Sequence, residues 1–204
     1  MSSFNAIAPA GSSDGKAVME KRSRLMSWLM WAVLLVLFAA TTRSASAQTQ
    51  ASYGQQIAVA KMLKTGLTTI GIFATNLNDK AVEQINRAAT GQGIKIILAK
   101  PQDPSQISPF YGKLVTERKA EMIWIPDPND QMLTGVGFEF LRAKALGDKI
   151  GLVVPTEAMV SSGGLCAVFS DGGKIRVIVN QRIAQMIGIS VPSEPTASIT
   201  YESK

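Results

Sequence analysis

The chain has 204 residues, a hydrophobic content of 46% and a formal net charge of +6, with no histidine and one cysteine. That length holds one ordinary domain plus a tail or targeting segment, and that apolar content is globular rather than disordered. Imidazole catalysis and imidazole metal ligation are excluded, and Cys166 alone makes neither an internal disulfide nor a cysteine metal cluster. Much of the charge sits early: Lys16, Lys21, Arg22, Arg24 and Arg43 precede Gln48, against Asp14 and Glu20. The surplus left for the rest is small and spread along the chain, which is not a nucleic-acid footprint, so no nucleic-acid partner is expected.

Residues 1–20 are polar, without periodicity, and are expected to be disordered. Lys21, Arg22 and Arg24 then lead into an apolar run from Leu25 to Ala40, followed by Ala45-Ser46-Ala47. Basic cluster, apolar run and small-residue site are the order of a secretory signal peptide. The run is about 16 residues, short of the roughly 20 that span a bilayer. Cleavage after Ala47 is therefore expected, leaving a periplasmic or otherwise extracytoplasmic protein that starts at Gln48. The competing reading is an N-terminal membrane anchor, with Trp28 and Trp31 at the interface. Residues 1–47 are thus a disordered leader plus signal peptide.

Residues 48–66 are an N-terminal extension, a polar leader and then a short helix over Ile57–Leu63. Leu67–Ala74 reads as the first strand and Asp79–Thr90 as a helix with Val82, Ile85 and Ala89 on one face. Gly91 and Gly93 stop it. Ile94–Ala99 is the second strand. Asp103-Pro104-Ser105-Gln106 has a helix-start pattern, and Ile107, Phe110, Tyr111, Leu114 and Val115 share a buried face. Pro109, a turn later, predicts a kink or a helix that starts at Ser108-Pro109. Met122–Ile125 is an apolar third strand ended by Pro126 and Pro128. A helix from about Asp130 to Leu146 is expected to bury Leu133, Val136 and Phe140. Ile150–Val154 is the fourth strand, Thr156–Gly164 a loop with room for one helical turn, and Leu165–Phe169 the fifth strand. A last helix is expected from Asp171, with Ile175, Ile178, Val179, Ile183, Met186 and Ile187 as its stripe. The lobe covers residues 67–190, and the tail, residues 191–204, alternates over Ser198–Tyr201 as an edge strand does.

Strands alternating with helices predict an α/β fold: one doubly wound, mainly parallel five-stranded sheet, order 2-1-3-4-5, with helices on both faces. In such sheets ligands sit outside the carboxyl ends of the strands. Asp127 and Asn129, crowding the exit of the third strand, are therefore the leading functional pair. Turn and cap chemistry accounts for the same residues.

Several segments together resemble a known family. They are Gly71-Ile72-Phe73 with Asn76 in its loop, Gly93-Ile94-Lys95-Ile96-Ile97, and Ala120 through Asp127. Ile150 to Val154, Glu157-Ala158-Met159-Val160 and Gly163 to Val168 follow. The pattern resembles one lobe, like the C-terminal one, of ABC-transporter substrate-binding proteins of the type I periplasmic-binding fold. The match is to the group associated with tryptophan-like substrates. It covers about Leu67 to the C-terminus. It implies extracytoplasmic binding of a small polar, amino-acid-like solute, with no cofactor. By position it implies Thr75 and Asn76 after the first strand, Asp127 after the third and Glu157 after the fourth as site-lining residues. Family members close two lobes on a ligand, and this chain has room for one.

Other chemistries fit less well. Phospho-receiver domains place an Asp where Asp127 stands, but they need an acidic pair after the first strand, and Ile72-Phe73-Ala74-Thr75 has none. Ser161-Ser162-Gly163-Gly164 lacks the lysine of a P-loop. Cys166, in a core strand, reads as a small buried hydrophobe. The resulting expectation is a non-catalytic, exported solute-binding component or accessory of an ABC uptake system, with a membrane permease and a homodimer as possible partners. The alternative is an envelope interaction or scaffolding protein that retains the lobe without a small-molecule ligand.

Overall fold

β-Branched and apolar runs with no polar alternation build the centre of one sheet. The structure, a computed structural model, describes residues 49–171, 173–192 and 199–204. The leader, the expected signal peptide and its cleavage site lie outside the described residues. Among the described residues no helix is long and apolar enough to cross a membrane.

The chain enters as β1 (Thr49–Gln50) and α1 (Tyr53–Leu63), then β2 (Thr69–Phe73), α2 (Asp79–Thr90) and β3 (Lys95–Ala99). A 3-10 turn, Pro104–Gln106, leads into α3 (Ile107–Gly112), whose last turn widens to a π-turn over Lys113–Glu117. β4 (Met122–Trp124), α4 (Gln131–Thr134), α5 (Val136–Gly147) and β5 (Gly151–Val153) follow. α6 (Glu157–Ser161), β6 (Cys166–Asp171), β7 (Lys174–Val179), α7 (Gln181–Met186) and β8 (Ile199–Ser203) complete it. β2 to β6 are parallel in the order β3-β2-β4-β5-β6, the doubly wound order expected for the five apolar strands.

The sheet has eight strands rather than five. β7 returns antiparallel along β6, from Asp171↔Lys174 to Cys166↔Val179. β8 adds parallel to β7, so the alternating tail does join the sheet edge. Arg176 and Glu202 pair across that last ladder. β1 pairs antiparallel with the far end of β6. The long helix expected from Asp171 is thus corrected to a hairpin strand plus a short helix. Lys174–Val179 is rich in β-branched residues, and Gly173 at φ +86° supplies the left-handed turn that sends the chain back. Val177, Ile178 and Val179 are all buried, as in a strand covered on both faces.

Two apolar clusters cover the sheet. One joins α1, α2 and α7 to the sheet through Ile57, Leu63, Ile85, Trp124 and Ala184. The other joins α3, α5 and α6 through Ile107, Leu114, Leu141, Val160 and Ile123. Capping sets where these helices begin. Ser52 and Gln55 form a reciprocal capping box, so α1 starts one turn earlier than the apolar residues alone suggest. Pro109 falls in the first turn of α3, where a missing N–H is tolerated.

The helix expected over Asp130–Leu146 breaks at Gly135 into α4 and α5. A Cβ on Gly137 would stand 2.5 Å from the Met132 carbonyl oxygen and 2.8 Å from Ile107. That close approach rotates α5 so that Phe138, Leu141 and Ala145 point inward. Val136, expected in the core, is 79% exposed instead.

Cys166 is fully buried, and burial pushes its thiol up to about 12. The native protein should therefore show no titratable thiol to Ellman's reagent at about pH 8, near the ordinary thiol pKa of roughly 8.5. Unfolding in guanidinium should release one. A thiol that reacts as fast in the native protein would contradict the placement of β6.

Candidate functional site

β2 and β4 are neighbours in the sheet, yet their chains leave in opposite directions, to β3 on one side and β5 on the other. Their carboxyl ends therefore flank the switch point where a crevice opens. The loops after them are Thr75–Asn78 and Pro126–Asp130.

Asp130 joins the two loops. Its carboxylate accepts the Thr75 backbone N–H at 2.8 Å and the Thr75 hydroxyl at 2.7 Å. The other oxygen accepts the Leu133 N–H at 3.2 Å and so caps α4. Asp130 is only 2% exposed, and these bonds satisfy a charge that would otherwise be costly to bury. Thr75 is thereby a positioned residue, its hydroxyl turned to Asp130.

Asp127 is held differently. One of its oxygens accepts the Asn129 N–H at 2.8 Å, an Asx turn that follows from Pro126 and Pro128 on either side. Asp127 is half-buried, and Asn129 and Asn76 are exposed.

Two adjoining depressions result. The first, about 370 Å³, lies between Thr75, Asn76, Pro101, Gln102 and the segment Asn129–Met132. The second, about 330 Å³, lies between Asn76–Asn78, Pro126–Asn129, Gln50 and Tyr53. Asn76 and Asn129 border both, so they form the ridge between them. These volumes fall at the small end of ligand sites, roughly 300–1,000 Å³.

The N-terminal extension supplies one wall. Gln50 donates to the Pro126 carbonyl at 2.7 Å. The Trp124 indole N–H donates to Gln56 Oε1 at 3.1 Å, and the Gln56 amide donates to the Ala51 carbonyl at 2.7 Å. Tyr53 meets the Trp124 ring edge-on, with centroids 5.9 Å apart. Burial raises the Tyr53 phenol pKa, and the Asp127 carboxylate adds to that rise.

Of the residues singled out from the sequence, Thr75, Asn76, Asp127 and Asn129 come together around these depressions. Glu157 does not. It lies in the first turn of α6 with its carboxylate on the Lys204 ammonium at 2.6 Å, and it lines neither depression. Among the described residues no group of three or more His, Cys, Asp or Glu side chains gathers as a metal site requires. The linings offer amides that donate and accept, one half-buried carboxylate and an aromatic face, which is recognition chemistry for a polar solute.

No family model and no curated protein matches the chain. Solved structures do. The ABC domain of Streptococcus pneumoniae in complex with L-Trp matches at a TM-score of 0.60 and 21% identity, over 74% of this chain and 62% of that one. The ligand-free, open structure of a substrate-binding protein with adhesive properties from Clostridium difficile matches at 0.60 and 16%, over 76% and 61%. The fold is that of a substrate-binding-protein lobe. The chain spans about three fifths of the length of these two proteins.

On this lobe fold, sequence reading missed Asp130 as the organiser and Gln50 and Tyr53 as a wall. Asp130 carries one local signal, its place before Leu133 as a helix cap. Its bonds to Thr75 cross 55 residues of sequence, and no local pattern encodes them. Gln50 and Tyr53 precede the lobe proper, and only the Ser52-x-x-Gln55 box marks where the extension turns helical.

The two aspartates should separate in stability. Asp130→Ala should cost about 2–4 kcal/mol, from an unpaired buried N–H and a lost cap. Asp127→Asn should cost under about 1 kcal/mol, because the amide oxygen can still accept the Asn129 N–H of the turn. Urea unfolding of both variants measures this. Equal losses, or the reverse order, would contradict the clasp.

Proposed function

We propose that this chain is an exported, non-catalytic solute-binding component or accessory of an ABC uptake system. In this reading a small polar, amino-acid-like solute lies at the switch point between β2 and β4. Asn76 and Asn129 contact it from the ridge, Asp127 offers a carboxylate, and Thr75 sets the loop. The observation that carries the reading is the Asp130 bridge. It fixes two loops from distant parts of the chain around two open depressions lined by amides and Asp127.

Those depressions face solvent on one side, whereas tight small-molecule sites bury roughly 70–90% of the ligand. A contact made by Asp127 on an open shelf is screened by salt. Useful affinity therefore calls for a second protein surface, either a second copy of the chain in a symmetric pair or a permease.

A thermal-shift screen with L-amino acids, monosaccharides and nucleosides tests the reading. A ligand at about 100 times its dissociation constant should raise the melting temperature by roughly 5–10 °C. Asp127→Asn should melt where the wild type does without ligand and lose that rise. No rise with any class, or a rise that survives in Asp127→Asn, would refute the site. Calorimetry on a preparation shown to be monomeric by light scattering extends the test. Weak binding is expected there, and submicromolar binding would contradict the need for a second surface.

A further inference from the structure

The end of the sheet opposite the depressions has a different chemistry. β2, β3, β4 and β5 are parallel, so the turns before them share one pole. Those turns, with the first residue of β3, carry Lys64, Lys95, Arg118, Lys119 and Lys149. The later turns of the helices that end there add Lys61, Arg87 and Lys144. The carboxylates at this pole are Glu83, Glu117, Glu121 and Asp148, half as many as the cations just named. Glu83 pairs with Arg87, Glu121 accepts the Thr68 N–H, and Asp148 accepts the Tyr111 hydroxyl. At the depression end no cationic surplus gathers: Asp79, Asp103, Asp127, Asp130, Glu157, Asp171 and Glu202 stand against Lys80, Lys100, Lys174, Arg176 and Lys204. A charge surplus that looks dispersed along the sequence is gathered by the fold onto one face.

Helix dipoles favour cations at helix C-termini, and this explains part of the pattern. It does not explain the backbone. The turns before β2 and β3 place Gly66 and Gly93 in the left-handed region, at φ +79° and +71°. The turns before β4 and β5 need the same conformation and place Lys119 and Lys149 there, at φ +58° and +56°. Glycine serves such positions without strain, and lysine does not. Both lysines are exposed. Two equivalent turns thus accept strain and gain a positive charge on the same face. Strain of this kind marks function more often than chance does.

We propose that this basic pole docks on an anionic phospholipid surface, leaving the opposite depressions open to solvent. Lysine predominates over arginine there, and a hydrated point charge suits diffuse attraction to a charged plane better than forked recognition of single phosphates. The residues that define the pole include no aromatic side chain of the kind on which nucleic-acid bases stack. This inference stands independently of the solute site.

The test uses the full chain labelled with an environment-sensitive fluorophore on Thr65→Cys, in the turn before β2. Cys166 is buried and stays unlabelled. A second preparation carries the label on Ala158→Cys, at the depression end. Vesicles are phosphatidylcholine alone or with about one third phosphatidylglycerol, since anionic lipid supplies the attraction. The Thr65 probe should brighten on anionic vesicles, stay unchanged on neutral ones and revert at high salt. The Ala158 probe should not respond. Lys119→Gly/Lys149→Gly should weaken binding about twenty-five-fold, from about fivefold per lysine. Glycine relieves the left-handed turns, so the melting temperature should not fall. Lys119→Arg/Lys149→Arg, which keeps the charge, should retain the response. An equal response on neutral vesicles, an unchanged response in the double glycine variant, or a response from the Ala158 probe instead would overturn the proposal. Tighter binding to duplex DNA than to anionic vesicles at the same salt would also overturn it, in favour of a nucleic-acid partner.

Discussion

A single buried carboxylate ties together the two loops at the crevice end of the sheet. A doubly wound sheet opens a crevice at its switch point because consecutive connections depart to opposite sides. Left alone, the two loops at that crevice would move independently. Asp130 ties them, giving one oxygen to Thr75 and the other to the first turn of α4. The charge is tolerated because every bond it accepts is charge-assisted. Asn76 and Asn129 then border both depressions. Asp127, three residues earlier, keeps a looser turn and a partly hydrated carboxylate.

The N-terminal extension depends on the same strand. Trp124, at the end of β4, donates its indole N–H to Gln56 and presents its ring to Tyr53. Gln56 then holds the Ala51 carbonyl, and Gln50 holds that of Pro126. A segment that belongs to neither the sheet centre nor its crossovers thus becomes a wall of the second depression. Trp124 serves the core with its ring and anchors α1 with its nitrogen, the usual division of labour for a buried tryptophan.

Much of this was legible from residues alone. The runs Leu67–Ala74, Met122–Ile125 and Ile150–Val154 lack polar alternation, which only a sheet covered on both faces permits, and the strand order followed from the helices between them. Four of the five residues singled out from the sequence lie around the switch point for the same reason. The failures have physical causes. Ile175, Ile178, Val179, Ile183 and Ile187 satisfy a helical spacing and also a strand of mixed burial, and the glycine turn before Lys174 decides between them. Val136 left the core because Gly137 packs its backbone against Met132 and Ile107, a contact without a sequence period. Glu157 was placed by analogy of position, but its ammonium partner, Lys204, comes from the edge strand β8. Asp127 and Asp130 look alike in sequence. Only the fold shows which one is bound inside and which one is left partly exposed.

The most direct test of a site built by the Asp130 clasp is amide chemical-shift mapping during titration with the solute that stabilises the protein most. The account predicts perturbations centred on Thr75, Asn76, Asp127 and Asn129 and extending to Gln50 and Tyr53. The Thr75 amide should stay protected from exchange before and after binding. Perturbations centred instead on Glu157 and Lys204, with the loops after β2 and β4 silent and the Thr75 amide exchanging freely, would contradict it.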